Sequence, residues 1–403
     1  MAVELEHIRA AEQRIRGAVY RSPCAYSLGL SRLCGCDLFC KLDYLQVTGS
    51  FKERGARNRL MLLSDTQRQA GVVAASAGNH ALGLAYHGRQ LGIPVTVVMP
   101  RGAPIVKVSS CRSFGARVLL EGDSFDEARQ HAVHLAEIEH LTYVHGFDDP
   151  ATIAGQGTMG LEILQDVPDV DVVIVPVGGG GLIAGVGRAV KSLRPQARLI
   201  GVEPLAAPSL HESLRAGRVV RVPVKPTIAD GLAIAEMGSL CFEIAREVVD
   251  EVVLVDEPQI ARAVLRLMEL EKAVVEGAAA SSLSAALQLA PRLAGKKVVL
   301  SLCGGNIDLT LVSRIIEHGL AADGRLWRMK ATISDRPGGL ARIAAVLAGA
   351  GASIKQVEHD RSFGSADPWT VTAVFTLETR DAGHIDEVVA ALRDAGVDFR
   401  EAS

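Results

Sequence analysis

The segment Thr48-Gly49-Ser50-Phe51-Lys52-Glu53-Arg54-Gly55-Ala56 sets one lysine between a small polar turn and a predicted helix. Held in a tight, partly desolvated turn, a lysine loses its proton and attacks an aldehyde to form an imine, which a solvated surface lysine does poorly. A lone lysine in a first helical turn is otherwise an ordinary basic residue, so the weight of Lys52 depends on what the chain sets beside it. Gly178-Gly179-Gly180-Gly181 follows an apolar run and opens the segment Leu182-Ile183-Ala184-Gly185-Val186. Backbone amides left uncovered by glycines converge on an anion, and a helix N-terminus adds its dipole, so a phosphate fits there. The same residues meet the dinucleotide pattern, with Gly179, Gly181 and Ala184 at the required spacing and Glu203 beyond the next strand. A nucleotide pyrophosphate is therefore an equal reading of that segment.

Two more turns share this setting. Ala75-Ser76-Ala77-Gly78-Asn79-His80 offers the Ser76 hydroxyl, the Asn79 amide and backbone N–H groups at a helix start, a receptor for an α-carboxylate. The alternatives are structural: Ser76 as an N-cap and His80 as a satisfied first-turn side chain. Ser301-Leu302-Cys303-Gly304-Gly305-Asn306-Ile307-Asp308 again ends an apolar run. Ligands of α/β sheets lie beyond the carboxyl ends of the strands, so three such turns can surround one site.

The elements behind these turns follow α/β grammar from about Val72 to Val255, a short β-branched strand, a glycine-containing turn and an amphipathic helix. Strands are predicted at Gly71–Ala75, Val95–Met99, Arg117–Leu120, Val172–Val177, Arg198–Val202 and Val298–Leu302. Nearly continuous apolar runs of this kind suit parallel strands covered on both faces. A chain of 403 residues exceeds one comfortable core, so two or three domains are expected. The formal net charge of -3 and the lack of a like-charge block argue against a nucleic-acid partner. No apolar run reaches membrane-spanning length, and Glu4-Leu5-Glu6-His7-Ile8-Arg9 does not have the form of a secretory signal. Cys34, Cys36 and Cys40, among seven cysteines, have no second Cys/His cluster after them, so the stretch is predicted as a short strand with reduced thiols in a reducing cytoplasm.

Beyond a spacer at 320–327, the grammar changes to strand 328–334, a helix to about Ala350, strands near 352–361 and 369–379, a helix 383–395 and a last strand Val397–Phe399. This βαββαβ order is the ferredoxin-like split βαβ sandwich. With Asp335-Arg336-Pro337-Gly338 opening its first helix and Gly349-Ala350-Gly351-Ala352-Ser353-Ile354 ending it, residues 328–403 resemble an ACT domain, the small amino-acid-sensing module. Dimerisation alone is the other use of such a domain, because its exposed edge strands pair readily.

Taken in order, Ser-Phe-Lys-x-Arg-Gly-Ala, Ser-x-Gly-Asn-His, Ile-Ala-Gly-Gln-Gly-Thr at Ile153 to Thr158, the tetraglycine, Thr227-Ile228-Ala229-Asp230-Gly231 and Gly-Gly-Asn resemble the threonine/serine dehydratases. These are pyridoxal-phosphate enzymes of the tryptophan-synthase-β fold, fold type II, with two open twisted sheets. The resemblance implies a catalytic domain over 1–319. It makes Lys52 the covalent anchor of pyridoxal 5′-phosphate, with Phe51 beside it, Gly178, Gly179, Gly180 and Gly181 the phosphate cradle, and Asn79 the partner of the cofactor's 3′-oxygen. Ser76, Ala77, Gly78, Asn79 and His80 would receive the amino-acid substrate, and Cys303 would lie beside the pyridine nitrogen. A neutral thiol there supplies no negative charge, which favours elimination over long-lived carbanion chemistry. The resemblance further implies a monovalent or divalent cation, or none, at Glu203, the Ala207 carbonyl and Ser209, and an interface role for Arg361. The implied activity is α,β-elimination of L-threonine, or L-serine, to a 2-oxo acid and ammonia in a homodimer or homotetramer, with a branched-chain amino-acid effector at the ACT domain. Serine racemisation and a serine-preferring dehydratase are the alternatives; Ala77 stands where racemising relatives carry a hydroxyl.

Overall fold

The structure is a computed structural model that describes residues 3–360 and 369–402. Its contacts divide the chain into two units, Met1–Ile307 and Asp308–Ser403. The first unit contains ten strands: β1 (Cys24–Tyr26), β2 (Asp37–Lys41), β3 (Val72–Ala75), β4 (Val95–Met99), β5 (Arg117–Leu120), β6 (Thr142–Tyr143), β7 (Val172–Pro176), β8 (Arg198–Pro204), β9 (Glu251–Val255) and β10 (Lys297–Ser301). They form two sheets, one in the order β1-β2-β10-β7-β8-β9 and one in the order β5-β4-β3-β6. All neighbours are parallel except β1 with β2.

Parallel strands need helical crossovers on both faces, and that explains the apolar runs. β3, β4 and β7 are buried along their full length. Ile174 in the middle of β7 is fully buried, so Ile174→Ala would cost about 2–5 kcal/mol from lost burial and the cavity left behind. Two predicted strands, Val95–Met99 and Arg117–Leu120, recur with their ends unchanged, and the others with ends shifted by one or two residues, where pairing rather than composition decides the boundary. Three strands lie outside the expected set: β1, the two-residue β6, and β9.

Helix boundaries follow local chemistry. The helix Pro150–Asp166 carries proline in its first turn, and Asp149 caps it by accepting from the Thr152 amide at 2.8 Å. That helix contains the Ile153–Thr158 motif, whose Gly155 lies against the backbone of Arg54 and Gly55. The cysteine-rich stretch is not one strand. Cys34 ends the helix Leu28–Cys34, closed by a left-handed Gly35, and only Cys40 lies within β2. The short spacing of polar and apolar residues there reads as alternation, whereas packing of Leu30 and Cys34 inward makes it a helical turn. The thiols of Cys34, Cys36 and Cys40 are free and buried.

The second unit begins with the helix Leu309–Ala322. The segment 320–327 expected as a spacer therefore contains the last turn of that helix and the start of the next strand. Four antiparallel strands follow, β11 (Leu326–Ser334), β12 (Ser353–Asp360), β13 (Thr370–Glu378) and β14 (Asp398–Glu401), in the order β12-β13-β11-β14. Helices Gly339–Gly349 and Ala382–Asp394 complete βαββαβ. Alternate residues of β11 and β13 point inward, with Met329, Ala331, Phe375 and Leu377 in the core. Arg361 lies outside the described residues.

Candidate active site

Lys52 is the first residue of the helix Lys52–Met61, with Phe51 as N-cap. The turn before it is stitched to the loop after β10: the Phe51 amide donates to the Cys303 carbonyl at 2.9 Å, Gly305 donates to Gly49 at 2.9 Å, and Ser50 bridges Gly304. Lys52 Nζ donates to the Gly146 carbonyl at 2.8 Å. Burial lowers its pKa to about 8, against the pull of Cys241, Cys303 and Glu276, which favour the ammonium form. Beneath it Arg54 is fully buried, with Nε 2.6 Å from Asp43 and Nη1 2.7 Å from Glu162; Lys41 completes the set 2.5 Å from Glu162. Two cations and two carboxylates thus balance beneath the helix end that carries the lysine.

The tetraglycine opens the helix Gly181–Leu193, with no side chain capping its amides. Gly180 has φ +94°, which a residue with a Cβ rarely adopts. A Cβ on Gly179 would collide with the Phe147 ring, whose Cδ2 would be 2.5 Å away. The cradle is therefore walled by Phe147, part of a loop that the sequence reading did not single out. This loop is pinned from both sides. His145 Nδ1 accepts from the Asp148 amide at 2.8 Å, and Asp148 accepts from the amides of Ser239 and Cys241 at 3.1 Å each.

The β3 turn presents Ser76, Ala77 and Gly78 to the same space, and the helix Asn79–Leu91 that follows has no side-chain cap. A helix start leaves its first amides as donors, here those of Asn79 and His80, while the Ala81 amide donates to the Gly78 carbonyl at 3.1 Å. The Ser76 hydroxyl accepts from the Gly78 amide at 3.2 Å. The imidazole of His80 lines the same cavity but is buried, with Nε2 3.2 Å from the Val144 carbonyl. Burial, with Lys52 next, lowers its pKa to about 3 and keeps it neutral. Cys303 is buried, and burial raises its thiol well above the ordinary 9.0, so it is an uncharged group.

One cavity of about 700 Å³ joins these parts, lined by Lys52, Ser76, Asn79, Gly178, Cys303 and Glu276 among others. It lies at the carboxyl ends of β3, β7 and β10, where ligands of parallel sheets are held. The glycine cradle, an amine of lowered pKa and a neutral thiol fit pyridoxal phosphate: anion donors for the phosphate, a nucleophile for the aldehyde and an uncharged partner for the ring. Glu276 is a site residue that the sequence reading missed, since nothing local marks a glutamate after an apolar pair.

Glu203, Ala207 and Ser209 do come together. Glu203 accepts from the amides of Leu210 at 2.7 Å and His211 at 2.8 Å and from Ser209 Oγ at 3.2 Å, while the Ala207 carbonyl accepts from the Ser209 amide at 3.0 Å. The carboxylate thereby closes the start of the helix Ser209–Ala216. Among the described residues, no group of three or more His, Cys, Asp or Glu side chains is arranged to hold a metal ion.

A partly buried lysine and a glycine cradle lining one cavity define a pyridoxal-phosphate site, and the chain belongs to the pyridoxal-phosphate dependent enzyme family, matched over residues 15–304. Residues 331–397 match the ACT domain. The dinucleotide reading of the tetraglycine is thereby set aside. The chain is 45% identical to the L-threonine ammonia-lyase of Thermotoga maritima over 398 residues, 99% of each chain. Among solved structures it resembles the processed form of threonine deaminase isoform 2 from Solanum lycopersicum, at TM-score 0.74 and 36% identity, covering 78% of this chain and 86% of that one. It also resembles maize serine racemase at TM-score 0.74 and 34% identity, covering 80% and 99%. No helix among the described residues is long and apolar enough to cross a membrane.

Proposed function

We propose that the protein is a threonine ammonia-lyase: it removes the Cα proton and the β-hydroxyl of L-threonine, yielding 2-oxobutanoate and ammonia, and converts L-serine to pyruvate in the same way. The observation that carries this reading is Lys52, an amine of lowered pKa held on the Gly146 carbonyl at the floor of the cavity. Pyridoxal phosphate, when bound, supplies the electron sink that acidifies the Cα proton. Lys52 Nζ would be the base that takes that proton. The amides of Gly178 to Gly181 would hold the phosphate, and the Ser76 hydroxyl with the amides of Asn79 and His80 would receive the α-carboxylate. Phe147 packs against Gly179 and so fixes the position of the cradle.

A racemase reading has the likeness to the maize enzyme in its favour, but it needs a proton donor opposite Lys52, and Ala77 offers a methyl group there. The elimination reading is tested by the visible spectrum of the purified protein and by 2-oxo acid release from L-threonine and L-serine, with Lys52→Ala as control. A colourless protein that forms no oxo acid overturns it, and substantial D-serine from L-serine moves the assignment to racemase. We further infer that the chain works in the cytoplasm as a homodimer or homotetramer, and that isoleucine or valine acts through the ACT unit. Truncation after Leu320 is expected to abolish the response to those amino acids, and an unchanged response refutes that regulation.

A further inference from the structure

Glu276 sits at the N-cap of the helix Gly277–Leu293, buried, with its amide donating to the Gly304 carbonyl at 3.1 Å. Its carboxylate lies over Gly304, where a Cβ would come 2.6 Å from the carboxyl carbon. The second glycine-rich turn is thus shaped around this carboxylate. Both of its oxygens face one nitrogen: Asn79 Nδ2 is 3.0 Å from Oε1 and 3.1 Å from Oε2. The Asn79 oxygen is held from the other side by Asn306 Nδ2 at 2.8 Å, and Asn306 Nδ2 also donates to the Thr48 carbonyl at 2.8 Å.

The polarity of this chain follows from its two ends. A backbone carbonyl only accepts, so Asn306 must turn its nitrogen to Thr48, which brings that same nitrogen to the Asn79 oxygen. At the other end a carboxylate accepts and meets the Asn79 nitrogen. An amide nitrogen carries two hydrogens; Glu276, with both oxygens on one side, takes one and leaves the other for the cavity that Asn79 lines. We propose that Glu276 is a positioning residue of the cofactor site, which acts by fixing the Asn79 amide with its nitrogen as the donor presented to the cofactor. The link also joins the β3 turn to the loop after β10, so the two sheets share it. Burial raises the Glu276 pKa to about 7; the Asn79 hydrogen bond and Lys107 oppose this rise, and Asp230 adds to it.

The inference rests on the cofactor of the family and not on the substrate, so it is tested without substrate. Full-length protein stripped of cofactor is titrated with pyridoxal phosphate, following bound-cofactor fluorescence and absorbance, for wild type, Glu276→Gln, Asn79→Ala and the double variant. A carboxylate offers Asn79 only acceptors, whereas glutamine can turn either its oxygen or its amide nitrogen to Asn79 and no longer fixes that amide, so Glu276→Gln is expected to weaken cofactor affinity about tenfold, the size of one lost hydrogen bond. Asn79→Ala is expected to weaken it similarly, and the double variant to match Asn79→Ala alone within about twofold, because one residue acts through the other. Glu276→Asp, which keeps the charge but withdraws the oxygens, is expected to give the same pattern if the glutamine variant folds poorly. Additive losses in the double variant, about a hundredfold in total, overturn the proposal, as does a wild-type affinity in both Glu276 variants.

Discussion

Lys52 is held where its ammonium form is disfavoured, so the free protein should be more stable without it. Burial moves the pKa from 10.5 to about 8. The unfolded chain therefore binds a proton that the folded chain releases between those two values, and stability rises as pH climbs from about 8 to 10.5. Below pH 8 the penalty is fully present, about 3 kcal/mol at 1.36 kcal/mol for each tenfold change in proton affinity. Lys52→Met keeps the length and apolar stem and removes the charge. In cofactor-free full-length protein at pH 7, the variant is expected to unfold about 2–3 kcal/mol higher than wild type, with the gap shrinking to about 1 kcal/mol at pH 10. Urea denaturation at the two pH values reads this directly. A gap that stays constant with pH, or a variant less stable at pH 7, would refute the claim that the site strains its own lysine. The same variant should show no stable visible absorbance with pyridoxal phosphate, which places the lost stability at a group the reaction needs.

Gly179→Ala drives a methyl group into the Phe147 ring, an overpacking worth about 1–3 kcal/mol, and should weaken pyridoxal-phosphate binding in a fluorescence titration. Arg54→Met leaves Asp43 and Glu162 with Lys41 as their only cation, and chemical denaturation should show a loss of about 3–5 kcal/mol. Lys107 pairs with Asp230 at 2.8 Å across the cavity mouth, at a partly solvated position. Lys107→Ala should therefore change stability by less than about 1 kcal/mol while raising KM for the amino acid in steady-state kinetics.

Lys52 and the tetraglycine were legible because their chemistry is local: an amine in a tight turn, and amides bared by the absence of side chains. The strands were legible for the same reason, since a run such as Val172 to Pro176 can be satisfied only between two covering layers. His80 was legible as a candidate, whereas the direction of its ring was not, because that depends on the Val144 carbonyl, far away in the chain. Glu276 was invisible for a related reason, its meaning lying in Asn79, 197 residues earlier.

From the order of its residues alone, this chain specifies which groups are candidates to carry chemistry, the α/β and βαββαβ grammars, and the family those motifs belong to. Tertiary structure alone decides the environment of each group: that Lys52 is desolvated, that Phe147 walls the tetraglycine, and that Glu276 faces Asn79. The division is physical. Hydrogen-bonding capacity and backbone freedom belong to a residue wherever it stands, whereas proton affinity and orientation are set by neighbours that only folding brings within a few ångströms.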